Sequence, residues 1–120
     1  MRSVLSVDDS KAIRDMIAFT LEPKGFRVVH AADGAEGLAK VKAELFALII
    51  TDLNMPVMNG FEFIENARRH PNGSGVPIVM LTTESKPEMK AKGKAAGATG
   101  WLNKPFDADM LVAVAKKLIG

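Results

Sequence analysis

The sequence predicts a doubly wound α/β fold, in which helices cover both faces of a parallel sheet. Short apolar segments alternate with segments of helical periodicity along the 120-residue chain. The apolar segments are continuous, as in residues 47–51 (Ala-Leu-Ile-Ile-Thr), and this is typical of strands that are buried on both faces. Strands and helices that follow one another in turn favour a parallel sheet with crossover helices. The length is that of one domain.

Five strands and five helices are predicted. The strands are short apolar segments bounded by polar or turn residues, at residues 3–7, 26–30, 47–51, 77–81 and 99–102. The helices have apolar residues at a spacing of three or four, at residues 10–22, 34–44, 59–69, 87–96 and 107–119.

The first predicted helix has clear signals at both ends. Ser10 is suited to cap its N-terminus, and Pro23 and Gly25 follow its last turn. Its apolar stripe consists of residues at helical spacing: Ile13, Met16, Ile17, Thr20 and Leu21. Phe19 lies off this stripe, so we expect its side chain to be exposed.

The fourth predicted helix, residues 87–96, has weaker signals. Pro87 suits a first turn, but Gly93 in the interior costs about 1 kcal/mol relative to alanine. Its inward side has mainly Met89 and alanines. Three lysines four residues apart form a basic stripe: Lys86, Lys90 and Lys94. We expect a weakly packed helix with a basic face for an acidic partner, or alternatively a plain solvated helix.

Composition excludes several classes of function. The 16 Lys and Arg residues are interspersed with 14 Asp and Glu residues, so the formal charge of +2 gives no reason to expect a nucleic-acid partner. The absence of cysteine excludes disulfides, thiolate nucleophiles and cysteine-based zinc sites. No apolar segment approaches the roughly 20 residues of a membrane span, and no glycine-rich nucleotide-binding motif is present. We expect a cytoplasmic protein that binds neither membrane nor nucleic acid.

Polar residues follow four of the predicted strands. Asp8 and Asp9 follow the first strand, Asp52 the third, Thr82 the fourth and Lys104 the fifth. The carboxyl ends of parallel strands meet at one edge of the sheet, where functional groups of doubly wound folds collect. Alone, each residue has an ordinary interpretation as a helix cap or turn residue. Together they predict a functional site.

Three carboxylates at one edge require compensating positive charge. Unscreened like charges a few Å apart repel by several kcal/mol at an effective dielectric constant of about 20. A divalent cation and the Lys104 ammonium would together neutralise three carboxylates. An all-oxygen ligand set favours magnesium over zinc.

Four segments carry these residues in a joint pattern: Val7-Asp8-Asp9-Ser10, Thr51-Asp52-Leu53-Asn54-Met55-Pro56 with Gly60, Leu81-Thr82-Thr83-Glu84, and Gly97-Ala98-Thr99-Gly100-Trp101-Leu102-Asn103-Lys104-Pro105-Phe106. In this pattern the sequence resembles the receiver domain of bacterial two-component response regulators, over residues 3–119. It is most similar to stand-alone, chemotaxis-type (CheY-like) regulators, because we expect the chain to end with its fifth helix and to carry no output domain.

The resemblance implies a flavodoxin-like (βα)5 fold with strand order 2-1-3-4-5, as one receiver domain over residues 1–120. It also implies a metal site. Asp8, Asp9 and Asp52 would bind Mg²⁺ directly or through water, and the backbone carbonyl of Asn54 would be a further ligand.

The resemblance further implies that Asp52 accepts a phosphoryl group from a histidine kinase. Lys104 would pair with the phosphoryl oxygens, and Thr82 would donate its hydroxyl to them after phosphorylation. A carboxylate nucleophile aided by positioning and charge neutralisation suits this chemistry. Thr83 is not expected to face the site, because neighbouring side chains of a strand point to opposite faces. A cis peptide bond before Pro105 is also implied.

The family implies two further sets of roles. Asn54 and Glu84 would control the access of water to the phosphoryl group, and their polar, unbulky side chains favour a transient signal that ends by slow self-dephosphorylation. Trp101 would be the switch aromatic, in place of the more familiar tyrosine or phenylalanine, and would move with Thr82.

Several partners follow from the resemblance. The expected donor is a chemotaxis-type sensor histidine kinase, with Phe19 as a docking residue. The expected target is a flagellar motor switch protein or another downstream protein, bound through Lys86, Lys90, Lys94 and Trp101. A dedicated phosphatase is a further possible partner. We expect a monomer, although the sequence leaves dimerisation open.

Other functions are compatible with parts of the sequence. Single-domain receivers also serve as phosphate sinks or relay intermediates. A magnesium-dependent phosphatase acting on small molecules is disfavoured, because Asp52-Leu53-Asn54 lacks a second carboxylate at the general-acid position. A phosphorylation-independent interaction module is disfavoured by the intact acidic set with Thr82 and Lys104.

Overall fold

A parallel sheet forms the centre of the protein in a computed structural model that describes residues 2–119. Within these residues there are five strands: β1 (Arg2–Val7), β2 (Phe26–Ala31), β3 (Leu48–Thr51), β4 (Ile78–Thr82) and β5 (Gly100–Asn103). The same residues contain five α-helices: α1 (Lys11–Leu21), α2 (Gly34–Ala43), α3 (Gly60–Arg69), α4 (Pro87–Ala96) and α5 (Ala108–Ile119). Each predicted element is present, with ends shifted by one residue at most positions, as expected for boundaries.

The strand order is β2-β1-β3-β4-β5, with every pair parallel, which confirms the predicted topology. In the register, Val7 pairs with Thr51 and Thr82 pairs with Asn103. The residues that follow β1, β3, β4 and β5 are therefore brought to the same edge of the sheet. This edge carries the candidate site.

Two apolar cores lie on the two faces of the sheet. One contains Leu5, Ile49 and Phe63, and α2 and α3 cover it. The other contains Val4 and Ile50 together with four buried residues of α1 and α5: Ile17, Leu21, Leu111 and Ala115. Neighbouring residues of each strand contribute to opposite cores, because side chains alternate across a strand. Continuous apolar strands are therefore required.

Helix α1 begins as predicted. The Ser10 hydroxyl oxygen accepts a hydrogen bond from the Ile13 backbone N–H at 3.3 Å. The prediction was wrong for Met16, which is 50% exposed, because the helix turns Ile17 and Leu21 toward the sheet and places Met16 on its flank. Phe19 is 84% exposed, as its position off the stripe predicts.

Helix α4 packs against the rest of the protein through few large side chains. In the described part of the chain, Gly93 is the one residue of α4 that is buried, while Met89 and Ala96 are partly buried. The predicted alanine surface is wrong in part, because Ala91 and Ala95 are exposed. A Cβ atom at Gly93 would lie 2.8 Å from Trp101 Cζ3, so the glycine leaves space for the indole ring.

None of the helices within residues 2–119 is long and apolar enough to span a lipid bilayer.

Candidate functional site

Three carboxylates converge at the carboxyl edge of the sheet. Asp8, Asp9 and Asp52 each offer an oxygen, and these oxygens lie within 4.8 Å of one another. Asp8 and Asp52 are buried, whereas Asp9 is exposed. The Asp52 N–H donates to the Val7 carbonyl at 2.8 Å, so pairing of the central strands sets this convergence.

The Lys104 ammonium lies between the two buried carboxylates. Its Nζ atom is 2.8 Å from Asp8 Oδ2 and 3.4 Å from Asp52 Oδ2, and its side chain is 14% exposed. The backbone N–H of Lys104 donates to the Thr82 carbonyl at 2.9 Å, so pairing with the end of β4 places it. The Lys104–Pro105 peptide bond is cis, as the sequence resemblance implies.

Backbone groups orient both buried carboxylates. Asp8 Oδ1 accepts from the Ser10 N–H at 2.9 Å, and Asp52 Oδ1 accepts from the Leu53 N–H at 2.8 Å. In each case Oδ2 is the oxygen near Lys104. Both side chains therefore have fixed orientations before any ligand binds, which lowers the reorganisation that a reaction needs.

Burial and charge act on the ionisation of this pair. Burial raises the pKa of Asp52, the neighbouring Asp8 charge raises it further, and Lys104 and the Leu53 N–H oppose the increase. Burial lowers the pKa of Lys104, but its hydrogen bond to Asp8 and the Asp52 charge outweigh burial, so that pKa is raised overall. Three carboxylates and one ammonium leave two formal negative charges. A divalent cation would balance them.

The end of helix α3 nearest the site approaches the Asp52 backbone closely. A Cβ atom at Gly60 would collide with the Asp52 carbonyl oxygen and lie 2.9 Å from Leu53 Cα. The helix begins with a reciprocal capping box between Asn59 and Glu62. Glycine at position 60 therefore allows the helix to begin directly against the residue that carries the central carboxylate.

Thr82 and Thr83 differ in the way that strand alternation predicts. Thr82 is buried and ends β4, whereas Thr83 is exposed. Thr82 Oγ1 accepts a hydrogen bond from the Glu84 N–H at 3.3 Å. The Glu84 side chain bonds the Lys86 N–H at 3.1 Å, so it stabilises the start of α4.

Trp101 is partly buried and packs against the core beneath α3 and α4. Its indole Nε1–H donates to the Glu84 carbonyl at 2.9 Å. The ring therefore contacts the loop that follows Thr82, at a position where the resemblance implies a switch aromatic.

The remaining predicted residues lie outside the carboxylate cluster. Asn54 is exposed in the loop after β3. The lysines of the basic stripe, Lys86, Lys90 and Lys94, are exposed, and two of them line an open cleft with Trp101. Phe19 lies on α1.

Two residues near the site were missed from the sequence. Arg14 Nη1 donates to the Asp8 carbonyl at 2.6 Å, and the Asn103 side chain donates to the Thr82 and Glu84 carbonyls at 3.3 and 2.9 Å. Arg14 follows Ser10 by one helical turn, which was an available but weak signal. No local pattern distinguishes Asn103.

The donor set fits magnesium. Carboxylate oxygens are the ligands that Mg²⁺ prefers, and one exposed and two buried carboxylates leave room for water in an octahedral shell. A buried carboxylate beside an ammonium and a cation site has the parts needed for a phosphoryl acceptor.

Comparisons with known proteins agree with this geometry. The family model described as "Response regulator receiver domain" matches residues 4–116. The chain is 34% identical over 119 residues to the DNA-binding dual master transcriptional regulator RpaA of Synechocystis sp., covering 99% of this chain and 49% of that protein. The chain thus spans about half the length of the first curated relatives it matches.

Solved structures are also similar. The chemotaxis protein CheY4 of Vibrio cholerae has 50% sequence identity and a TM-score of 0.94, with 98% of each chain covered. The receiver domain of the sensor histidine kinase PA1611 from Pseudomonas aeruginosa PAO1, solved with a magnesium ion coordinated in its active site cleft, has 28% identity and a TM-score of 0.92, covering 99% of this chain and 98% of that one. On its family match, its fold and these relatives, this chain belongs to the response regulator receiver domain family.

Proposed function

We propose that this receiver is a signalling switch that accepts a phosphoryl group on Asp52 from a histidine kinase and then binds a downstream protein. The observation that carries the proposal is the position of Asp52. It is buried, its carboxylate is within 4.8 Å of two others, and it lies 3.4 Å from the Lys104 ammonium. The three carboxylates and the Lys104 ammonium leave two formal negative charges, which a divalent cation would balance.

Asp8, Asp9 and Asp52 would hold Mg²⁺, with the backbone carbonyl of Asn54 as a further ligand. When bound, the ion supplies positive charge to the phosphoryl oxygens and aligns them with the acceptor. The residues of the chain do the rest of the positioning.

In the transfer, a carboxylate oxygen of Asp52 forms a bond to phosphorus as the bond between phosphorus and the donor histidine nitrogen breaks. Lys104 already contacts Asp52 Oδ2, so its ammonium lies where charge develops on the phosphoryl oxygens. Thr82 then donates its hydroxyl to the phosphorylated aspartate. Asn54, which is exposed, and Glu84, which is partly exposed, leave water access to the acyl phosphate. A phosphoryl lifetime of many hours in the purified protein contradicts this transient signal.

The signal leaves through the face formed by Lys86, Lys90, Lys94 and Trp101. The new dianion on Asp52 recruits Thr82, and Trp101 is joined to the same loop through Glu84. The similarity to CheY4 supports a chemotaxis role with a flagellar motor switch protein as target. A phosphate sink or relay receiver would lose or pass on the phosphoryl group without forming a complex with a target.

The central test uses Trp101, the single tryptophan, as a fluorescence probe. The protein is mixed with Mg²⁺ and beryllofluoride, or with a small acyl-phosphate donor. We expect a Mg²⁺-dependent emission change that Asp52→Asn abolishes and the distant surface variant Lys42→Ala retains. No response and no phosphoryl incorporation would indicate an interaction module. Continuous turnover of small phosphates would indicate a phosphatase.

Kinase docking through Phe19 is tested separately. We expect Phe19→Ala to slow phosphoryl transfer from the kinase and to leave transfer from a small donor unchanged. Leu45→Ala is the matched control, because Leu45 is also an exposed apolar residue. Equal transfer rates from the kinase for all three proteins would exclude Phe19.

Target docking depends on charge. Reversal of Lys90 and Lys94 to glutamate should weaken binding of the phosphorylated protein to an acidic target at low salt. Reversal of Lys42, which lies exposed on α2, should not. Unchanged binding after the double reversal means that the basic stripe is not the docking face.

A further inference from the structure

The loop after β4 is held by two side chains of β5. The side-chain amide of Asn103 donates to the Thr82 carbonyl at 3.3 Å and to the Glu84 carbonyl at 2.9 Å. Trp101 Nε1 donates to the same Glu84 carbonyl at 2.9 Å. Asn103 precedes Lys104 directly and pairs with Thr82 across the sheet. A single amide nitrogen therefore joins both ends of the turn that contains the switch threonine.

Hydrogen bonds within this turn fix the surroundings of the Thr82 hydroxyl. Its oxygen accepts the Glu84 N–H at 3.3 Å, and the Thr82 carbonyl accepts both the Lys104 N–H and the Asn103 amide. A hydroxyl that accepts a hydrogen bond keeps its own proton to donate. The Thr82 hydroxyl proton therefore remains available for a phosphoryl oxygen when the phosphorylated Asp52 recruits it.

We propose that Asn103 is a positioning residue of the switch, which holds the turn from Thr82 to Glu84 so that the Thr82 hydroxyl is available to the phosphorylated Asp52. This inference rests on the proposed function. It extends that function because Asn103 acts through Thr82 and Glu84 rather than on the reacting atoms. Ordering the turn beforehand reduces the free energy that phosphorylation must spend on ordering it.

The test replaces Asn103 by leucine, which has similar size and no donor. The apparent affinity for beryllofluoride in saturating Mg²⁺ should fall about three- to tenfold, the range expected for losing one or two hydrogen bonds. Mg²⁺ affinity in the absence of beryllofluoride should stay within twofold of wild type, because the carboxylates are not altered. Asn66→Leu is the matched control, since the Asn66 amide also donates to a backbone carbonyl, that of Glu62, at 2.8 Å.

A double-mutant cycle tests the shared acceptor. Trp101→Phe removes the second donor to the Glu84 carbonyl, and calorimetric titration replaces fluorescence in that variant. If both side chains hold one turn, the double variant loses less affinity than the product of the two single losses, because the turn is already released by either change. If the loss of beryllofluoride affinity in the double variant equals the product of the two single losses, Asn103 and Trp101 act independently, and the proposal that they hold one turn together is overturned.

The possible outcomes separate the two proposals. A wild-type protein that gives no beryllofluoride response contradicts the proposed function, and the role of Asn103 with it. A normal wild-type response with unchanged affinity in Asn103→Leu overturns the inference alone. An equal loss of Mg²⁺ and beryllofluoride affinity also overturns it, because that result indicates a general structural effect. Should the leucine variant fail to fold, Asn103→Ala is subjected to the same measurements and decides between the same outcomes.

Discussion

At the scale of single residues, the buried Asp52 is costly to the fold and useful to the site. Burial and the Asp8 charge raise the pKa of Asp52, and Lys104 offsets only part of this effect. The folded protein therefore binds a proton at Asp52 more tightly than the unfolded chain does. The contribution to stability is present below the unfolded pKa, about 4, and is lost as pH rises through the folded pKa.

We expect Asp52→Asn to be more stable than wild type at pH 7 in the presence of EDTA. The amide removes a buried charge that the metal-free fold does not fully compensate. The difference in melting temperature should shrink as pH falls below about 4, where the wild-type carboxyl is protonated in both states. Glu65→Gln, at an exposed position on α3, should show no comparable difference. An Asp52→Asn variant that is less stable at pH 7 would contradict this account.

Gly60 is a second residue whose effect is local. We expect Gly60→Ala to lower the free energy of unfolding by about 2 kcal/mol, because the added Cβ meets backbone atoms of Asp52 and Leu53. Gly75→Ala provides the comparison, since a Cβ there has no atom within 4 Å, and it should be neutral or slightly stabilising. Denaturant titration measures both. Similar free energies of unfolding for the two variants would mean that the start of α3 can shift away from Asp52 and Leu53 at little cost.

At the scale of elements, the side chain of Trp101 on β5 joins this strand to α4. The indole packs against Gly93 and bonds the Glu84 carbonyl, so the loop, the helix and the strand contact one side chain. Glycine at position 93 lowers the intrinsic helix propensity of α4. In the structure, the absence of a side chain at Gly93 leaves space for the indole ring of Trp101. The helix is weakly packed, as the sequence predicts, but for a different reason.

Gly93→Ala separates these two explanations. Propensity predicts a gain of about 1 kcal/mol. The contact with Trp101 Cζ3 predicts instead a net loss of about 1 kcal/mol and a red-shifted tryptophan emission, because the ring must move outward. Ala91→Gly, at an exposed position of the same helix, should cost about 1 kcal/mol without changing the emission. A stabilised Gly93→Ala with unchanged emission would contradict the packing explanation.

At the scale of the whole molecule, charge is segregated although the formal total is only +2. Three carboxylates collect at one sheet edge, and exposed lysines occupy α4. Metal binding at the acidic edge should therefore be linked to folding, since the unfolded chain does not hold the carboxylates together.

We expect Mg²⁺ at about 100 times its dissociation constant to raise the free energy of unfolding by about 2.7 kcal/mol. Asp8→Asn and Asp52→Asn should lose most of this increase, because each removes a carboxylate of the cluster. Glu65→Gln should retain it, as an exposed carboxyl outside the cluster. Melting curves with and without Mg²⁺ provide the measurement, and an equal increase in all four proteins would mean that the ion acts elsewhere.

Much of the fold could be predicted because its signals are local. Apolar periodicity, the Ser10 cap and the turn residues each depend on a few neighbouring positions, and the structure confirms the elements. The strand order is also confirmed, but it was implied by the family resemblance and not by any local signal. The convergence of Asp8, Asp52 and Lys104 was also predictable, since parallel strands bring their carboxyl ends to one edge. Their functional roles remain proposals.

Packing between distant segments decided the rest. The helical spacing predicts that Met16 belongs to the apolar stripe of α1, but the rotation of α1 against the sheet leaves this side chain half exposed. The use of Gly93 depends on a ring eight residues away on β5. The bonds of Asn103 depend on the register of β4 with β5. Local sequence determines which helix or strand forms and which functional side chains follow it. The rotation of a helix, the register of two strands and the contacts between distant side chains are determined only when the separate segments pack together, because the interior is close-packed.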